Sequence, residues 1–392
     1  MAAANEDDGT FSIVDGGPAR ETLRRLKLAQ PLSDAALLRN ALVLAAITWL
    51  PLAFLTVSEG FATGHVALPF VLDISAHVRF LLVVPLLILA EGPIGRRGRI
   101  TVGYFVNAKL IRPKDLPRLE DIILAVTRLR DTPIATAILL AIVVVACWAS
   151  VRQGLGPSIA TWYVPLPQAH LSFAGYWYAF VCLPVLHFLI LRWFYRLMVW
   201  MFFLHKISRL DLVLVPSHPD EAGGLGFVGH TTLFFGTLIF AFSAMLSASV
   251  AVRVLFGGVS LYDLLPAYGT LLVLVVLIFA GPMLLFIPKL YEAKEHGLRR
   301  YGALASRYTR QFEEKWIDGG APADEPLLGT GDIQSLADLA NSYAVVDRMK
   351  IVPVTLNDLI VLAASAVVPA LPLVLTVKPL TDVIKDLLKL VT

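Results

Sequence analysis

The chain is poor in charge: Asp, Glu, Lys and Arg make up 16% of its 392 residues, against about 25% in a soluble globular protein. It has only two cysteines, Cys147 and Cys182, both inside apolar stretches. That excludes a disulfide scaffold and a cysteine-based metal site; each thiol reads as a small packing residue. No HExxH zinc motif and no Walker lysine occur, so neither a zinc protease nor a self-sufficient ATP-driven pump is expected. The first 30 residues run from acidic to basic with no apolar core or cleavage site, which is not a signal-peptide pattern. What fills the chain is apolar residue, 57% of the total, at a mean hydropathy of +0.72. A soluble enzyme, a secreted disulfide-rich domain and a disordered chain are excluded together.

The apolar residues fall into seven blocks, near 37–58, 70–91, 133–152, 174–192, 231–254, 266–288 and 359–377. A hydrocarbon core of ~30 Å takes about 20 helical residues. The expected fold is therefore an all-α polytopic membrane protein with seven transmembrane helices and a helical cytoplasmic layer. The segments 1–39, 94–130, 192–222 and 289–350 carry 5, 9, 4 and 9 of the 33 Lys and Arg, whereas 59–72, 153–173 and 255–265 carry none. By the positive-inside rule this places the N-terminus in the cytoplasm and pairs the first six helices as three hairpins. The expected organisation is a cytoplasmic segment 1–36, a membrane domain 37–290 with basic loops 94–130 and 193–230, a cytoplasmic helical region 291–350, and a last span with an amphipathic tail, 351–392. Pro369 and Pro372 leave a re-entrant last block open, but Leu359–Val377 has no charge and favours spanning. The basic residues track one membrane face, so lipid bilayer and anionic headgroups are expected partners, with a homo-oligomer or a cytoplasmic protein also open; nucleic acid is not. No cofactor or metal is indicated.

Each hairpin's second helix contains a similar step, Pro85-Leu-Leu, Pro184-Val-Leu and Pro282-Met-Leu, and a single basic residue, Arg79, Arg152 or Arg253, marks its outer end. Repeated proline kinks suit a transporter built from repeats, although proline is common in membrane helices. The fourth block stays apolar from Ser172 to Leu204, roughly 50 Å of helix. Its end, Trp193 to Leu204, needs a cover. Two helical faces are available: Leu119, Ile122, Ile123, Val126 and Leu129, and Ile333, Leu336, Ala340, Tyr343 and Val346.

Ionisable groups at membrane depth are expensive and mark functional sites. Asp73 and His77 are four apart, so a carboxylate–imidazole pair is geometrically possible; Arg79 follows and reads as snorkelling outward. His187 lies deep, three residues after Pro184, and is either a packed histidine or a pathway group. Arg192 and Arg196 share a face at the inner end of helix 4, suited to a phosphate or to membrane anchoring. Glu91 at similar depth offers an ion pair, and Asp358 suits the start of the seventh helix. In Ser217-His-Pro-Asp-Glu-Ala-Gly-Gly-Leu-Gly-Phe227, the glycines Gly223, Gly224 and Gly226 permit positive φ. His218, Asp220, Glu221 and His230 offer ligands without a recognised metal spacing. The default reading is a structured turn. No residue is assigned a catalytic role.

Tyr262-Asp263, Gly329-Thr-Gly-Asp332 and Pro369-Ala-Leu-Pro372 resemble the YD, GxGD and PAL motifs of presenilin-like intramembrane aspartyl proteases. That chemistry needs two aspartates sharing a proton between adjacent spans, and here they are expected on opposite sides. His218-Pro-Asp-Glu-Ala-Gly-Gly-Leu-Gly-Phe227, Asp332-Ile-Gln-Ser-Leu-Ala-Asp-Leu-Ala-Asn341 and Leu371-Pro-Leu-Val-Leu-Thr376 resemble segments of a family of bacterial polytopic inner-membrane proteins. The resemblance implies that location and no assigned activity. Three classes of function fit the sequence: a channel or secondary transporter first, then a scaffold docking a protein or lipid, and last the protease.

Overall fold

A computed structural model describes residues 33–152, 159–165, 170–322, 324–326 and 329–374, with Ser12, Val14 and Gly16. The expected amphipathic tail, the last residues of the seventh block and most of segment 1–36 lie outside the described residues. Among those described, the chain is helical, with only two isolated β-bridges.

Helix α1 is Asp34–Ser58, capped by the Ser33 hydroxyl, which accepts from the Ala36 N–H. Helix α2 runs Ile74–Asn107. Helix α3, Leu116–Arg130, turns at Asp131 and Thr132 into α4, Pro133–Arg152. Then follow α5, Phe173–Ser208, α6, Gly226–Gly257, and α7, Leu261–Ile317. Helix α8 is Asp332–Asp347, and α9, Leu356–Leu373, closes the described chain. Seven helices are long and apolar enough to cross a membrane, and they coincide with the seven apolar blocks.

Helices α2, α5 and α7 have 34, 36 and 57 residues. At 1.5 Å per residue each overshoots a ~30 Å core, and the excess projects at the end bearing the basic segments. That excess, with α3 and α8, forms the helical layer. Residues 287–312 continue the sixth span without a break.

Helices α2 and α6 are the most enclosed spans, and α6 packs on α2, α7 and α9. The outer helices α1 and α4 turn Phe54, Val144 and Trp148 outward, more than half exposed, as a lipid-facing surface requires. The aromatic stretch of α5 is covered in part as expected. Leu119 and Val126 of α3 are buried, and the Tyr195 hydroxyl donates to the Leu129 carbonyl. The second face does not cover α5: α8 packs on α7, with Val346 and Tyr343 beside Gly297 and Gly302, while Ile333 and Ala340 stay exposed. The linker at 318–331 is short, so α8 folds back on the helix that precedes it. Its place over α5 is taken by Phe105 of α2, 6.4 Å from Phe203, and by Phe242 of α6, stacked 5.6 Å from Phe194.

The three proline steps share a structural signature. A π-helical segment ends two residues before each proline: Val78–Val83 before Pro85, Tyr178–Cys182 before Pro184, and Val276–Ala280 before Pro282. Proline has no N–H to donate and clashes with the carbonyl one turn earlier. Widening the preceding turn relieves both problems, and such π-bulges are frequent at functional sites. The hairpins are thus alike in structure as well as in sequence.

Candidate functional site

The polar groups of the bundle gather at three levels. The first lies near the end opposite the basic layer. There the connections 59–72 and 159–165 meet at the Leu68–Thr161 bridge. Glu59 caps α5, its oxygens accepting from the Phe173 and Ala174 N–H groups at 2.8 and 3.0 Å. Trp162 is completely buried there, and its indole N–H donates to Asp73 Oδ2 at 2.9 Å. Gly175 permits this packing, because a Cβ on it would lie 2.3 Å from the Tyr163 carbonyl oxygen.

The Asp73–His77 pair that the spacing allows is not formed. Asp73 also accepts from the Ala76 N–H as an N-cap, and His77 Nδ1 accepts from the Trp49 indole at 3.0 Å. His77 Nε2 stands 3.2 Å from the Val71 carbonyl, to which it donates. Two tryptophans have taken the partners that i,i+4 spacing offered to each other.

Arg79 does not snorkel outward. Its Nη1 donates to the Tyr178 hydroxyl at 2.6 Å and its Nη2 to Ser249 Oγ at 3.1 Å. Both Arg79 and Tyr178 sit in π-segments, and both lie six residues before the repeat proline. Tyr178, Trp162 and Ser249 were not singled out from the sequence. Aligning the proline steps brings Tyr178 opposite Arg79, and that signal would have found it. His187, deeper on α5, is half-buried and meets Cys147 Sγ of α4 at 3.9 Å.

The second level is an ion triad. Glu91 Oε1 stands 3.1 Å from Arg192 Nη1 and 3.0 Å from Arg196 Nη1. Arg196 lies over the Trp193 ring, whose N–H donates to the Leu87 carbonyl. Arg196 Nη2 and Arg130 Nη1 also donate to the Val14 and Ser12 carbonyls, so this piece of the N-terminal segment seats beside the triad. Between Arg79 and Glu91, about 18 Å along α2, the residues Phe80, Val83, Val84 and Leu87 are completely buried. An apolar layer separates the two polar levels.

The third level is the 217–230 turn. Asp220 organises it: Oδ1 accepts from the Ala222 and Gly224 N–H groups at 2.9 and 3.1 Å, and Oδ2 from Gly226 at 2.8 Å. His218 Nδ1 lies 2.8 Å from Oδ1. Gly223 and Gly224 take positive φ as expected; Gly226 does not, and instead supplies an N–H. Because those amides are spent on Asp220, they do not form a phosphate cradle. Glu221 turns away to Arg348 and Lys350, and His230 Nδ1 pairs with Asp358 Oδ1 at 3.0 Å. The candidate ligands diverge, and no group of three or more His, Cys, Asp and Glu among the described residues could hold a metal. Asp358 completes a capping box with Thr355 at the start of α9. A cavity of ≈ 230 Å³ remains between Tyr104, His218, Phe227, His230 and Lys350.

Burial raises the Asp220 pKa, but the three backbone N–H groups and His218 outweigh it and hold the carboxyl below its ordinary value. A depressed carboxylate adds stability that is present above the unfolded value and is lost as pH falls through the folded one. Hydrogen-exchange protection of the Ala222, Gly224 and Gly226 amides is therefore expected to persist from neutral pH down to about 4. It should collapse only in stronger acid. Asp220→Asn should abolish it at neutral pH, since the amide nitrogen would face one of these donors; full protection in that variant would refute the assignment.

The protease-like motifs do not converge. Asp263 is in the first turn of α7, while Asp332 pairs with Lys315 and accepts from Trp316 at that helix's far end. The two cannot share a proton. No protein-family model, curated protein or solved structure matches the chain.

Proposed function

We propose that this integral membrane protein is a transport protein, a channel or secondary transporter, whose pathway passes Arg79. The observation that carries the reading is the Arg79 guanidinium, turned into the bundle and held by the neutral groups Tyr178 and Ser249. Among the described residues no carboxylate lies within ion-pair distance of it, and a charge held this way at membrane depth is costly unless function uses it. The bundle around it has the parts of a gated path. Trp162 closes one side, the apolar layer and the Glu91–Arg192–Arg196 triad close the other, and three helices carry π-bulge hinges. Rocking of helices at such hinges would open each side in turn.

The charge distribution supports a cytoplasmic N-terminus and a basic layer in contact with anionic headgroups. The resemblance of three segments to bacterial inner-membrane proteins supports that membrane as the location.

Purified protein in liposomes, assayed with ion-sensitive dyes for H⁺, Na⁺, K⁺, chloride and nitrate, is expected to conduct at least one of them. Arg79→Gln should lower that flux by an order of magnitude or more, the scale on which one charged hydrogen-bonding group acts. A folded wild-type protein that moves none of these ions would overturn the reading.

A further inference from the structure

We infer that Arg79 and Tyr178 form a binding site for a small monovalent anion, closed by Trp162. The inference deepens the transport reading by naming its substrate class, and rests on that reading for the anion's passage, though not for its binding.

Arg79 has five N–H groups. Nη1 and Nη2 reach Tyr178 and Ser249, while Nε is buried with no partner. The Tyr178 hydroxyl accepts from Arg79, which leaves its own proton to give, and no described acceptor takes it. Ser249 donates to the Met245 carbonyl, and Ser75 Oγ stands 3.5 Å from Ser249 Oγ. Donors therefore outnumber acceptors around one fixed positive charge. A buried, unsatisfied donor in a folded protein demands an explanation, and an ion is one of the few that fit. The chemistry that satisfies an N–H, an O–H and a guanidinium charge together is an anion.

The surroundings set its charge and its hydration. Asp73 is near enough to act electrostatically on Arg79 without forming an ion pair. The one cation is partly offset by that carboxylate, so a divalent anion would leave more charge uncompensated here than a monovalent one. Tyr178 is ringed by Phe80, Trp162 and Tyr163 at centroid distances of 6.0, 5.3 and 5.5 Å. Their edges carry the positive part of the ring quadrupole and replace little of a hydration shell. Weakly hydrated anions such as thiocyanate and nitrate should therefore bind ahead of chloride, and sulfate should not compete. Trp162, completely buried and bonded to Asp73, must move for the ion to enter.

The test is titration of the purified full chain in neutral detergent with thiocyanate, nitrate, chloride and sulfate, read by tryptophan fluorescence and by Tm. Saturable changes in the order thiocyanate, nitrate, chloride are expected, with none from sulfate beyond its ionic-strength effect. Arg79→Gln should abolish them, and Tyr178→Phe, which keeps the ring, should weaken them about tenfold. Arg253→Gln, an exposed charge at the same end of the bundle, should leave them unchanged. Should Arg79→Gln fail to fold, Tyr178→Phe decides: unaltered affinity there overturns the site. Equal responses in Arg79→Gln and wild type, or a response that scales only with ionic strength, also overturn it. Saturable binding without flux in liposomes would keep the site and defeat transport. Cation flux without saturable anion binding would do the reverse.

Discussion

Replacing Glu91 by Ala is expected to cost about 3–5 kcal/mol of stability, the range for removing one partner of a buried ion pair. Glu91 is the carboxylate shared by Arg192 and Arg196, and its own side chain and that of Arg196 are almost fully enclosed. Without it, two guanidinium groups one turn apart on α5 repel each other beside an apolar layer. Glu91→Gln should cost nearly as much, because the amide keeps the shape and loses the charge. Combining Glu91→Gln with Arg196→Met should recover part of the loss, since replacing a buried pair by packed apolar groups is often neutral. Thermal unfolding in detergent measures all three. If the double variant is no more stable than Glu91→Gln alone, charge burial is not the reason for the loss.

Trp162→Ala is expected to cost a similar ~3–5 kcal/mol, as large aromatic truncations in packed cores do. The indole contacts Phe70, Tyr163 and Tyr178 and anchors Asp73. Trp162→Phe separates the two contributions. It keeps most of the packing but strips one oxygen of a buried carboxylate of its donor, at about 1–3 kcal/mol. Both losses should appear as lowered Tm. A Trp162→Ala protein as stable as wild type would show that the 159–165 connection does not hold this end closed.

Much of the architecture is legible in the sequence. Runs of about 20 apolar residues leave a chain no soluble fold, and all seven emerge as long helices. The proline steps announced irregular helix turns, which are the π-helical segments, and the apolar stripe of α3 announced where it would pack. Even the Glu91–arginine triad followed from sign and depth along two helices. The 217–230 turn was legible as a turn, because His-Pro-Asp with three glycines has few other uses, but not as one built around Asp220.

The misreadings share one cause. Spacing along a helix says which residues face the same way, and nothing about what another helix brings to them. Asp73 and His77 share a face, yet Trp162 and Trp49 arrive from the 159–165 connection and α1 and claim them. Arg79, read locally, belongs to a water-facing rim; Tyr178 and Ser249, about 100 and 170 positions along the chain, draw it inward. The scarcity of charge in this sequence was enough to determine its solvent, its spans and the grouping of its basic residues, because hydrophobic burial is additive along a chain. Which few charges face one another inside the bundle was decided only by the packing of α2, α5 and α6. Hydrogen bonds and ion pairs act over ångströms, and only the tertiary structure brings their partners that close.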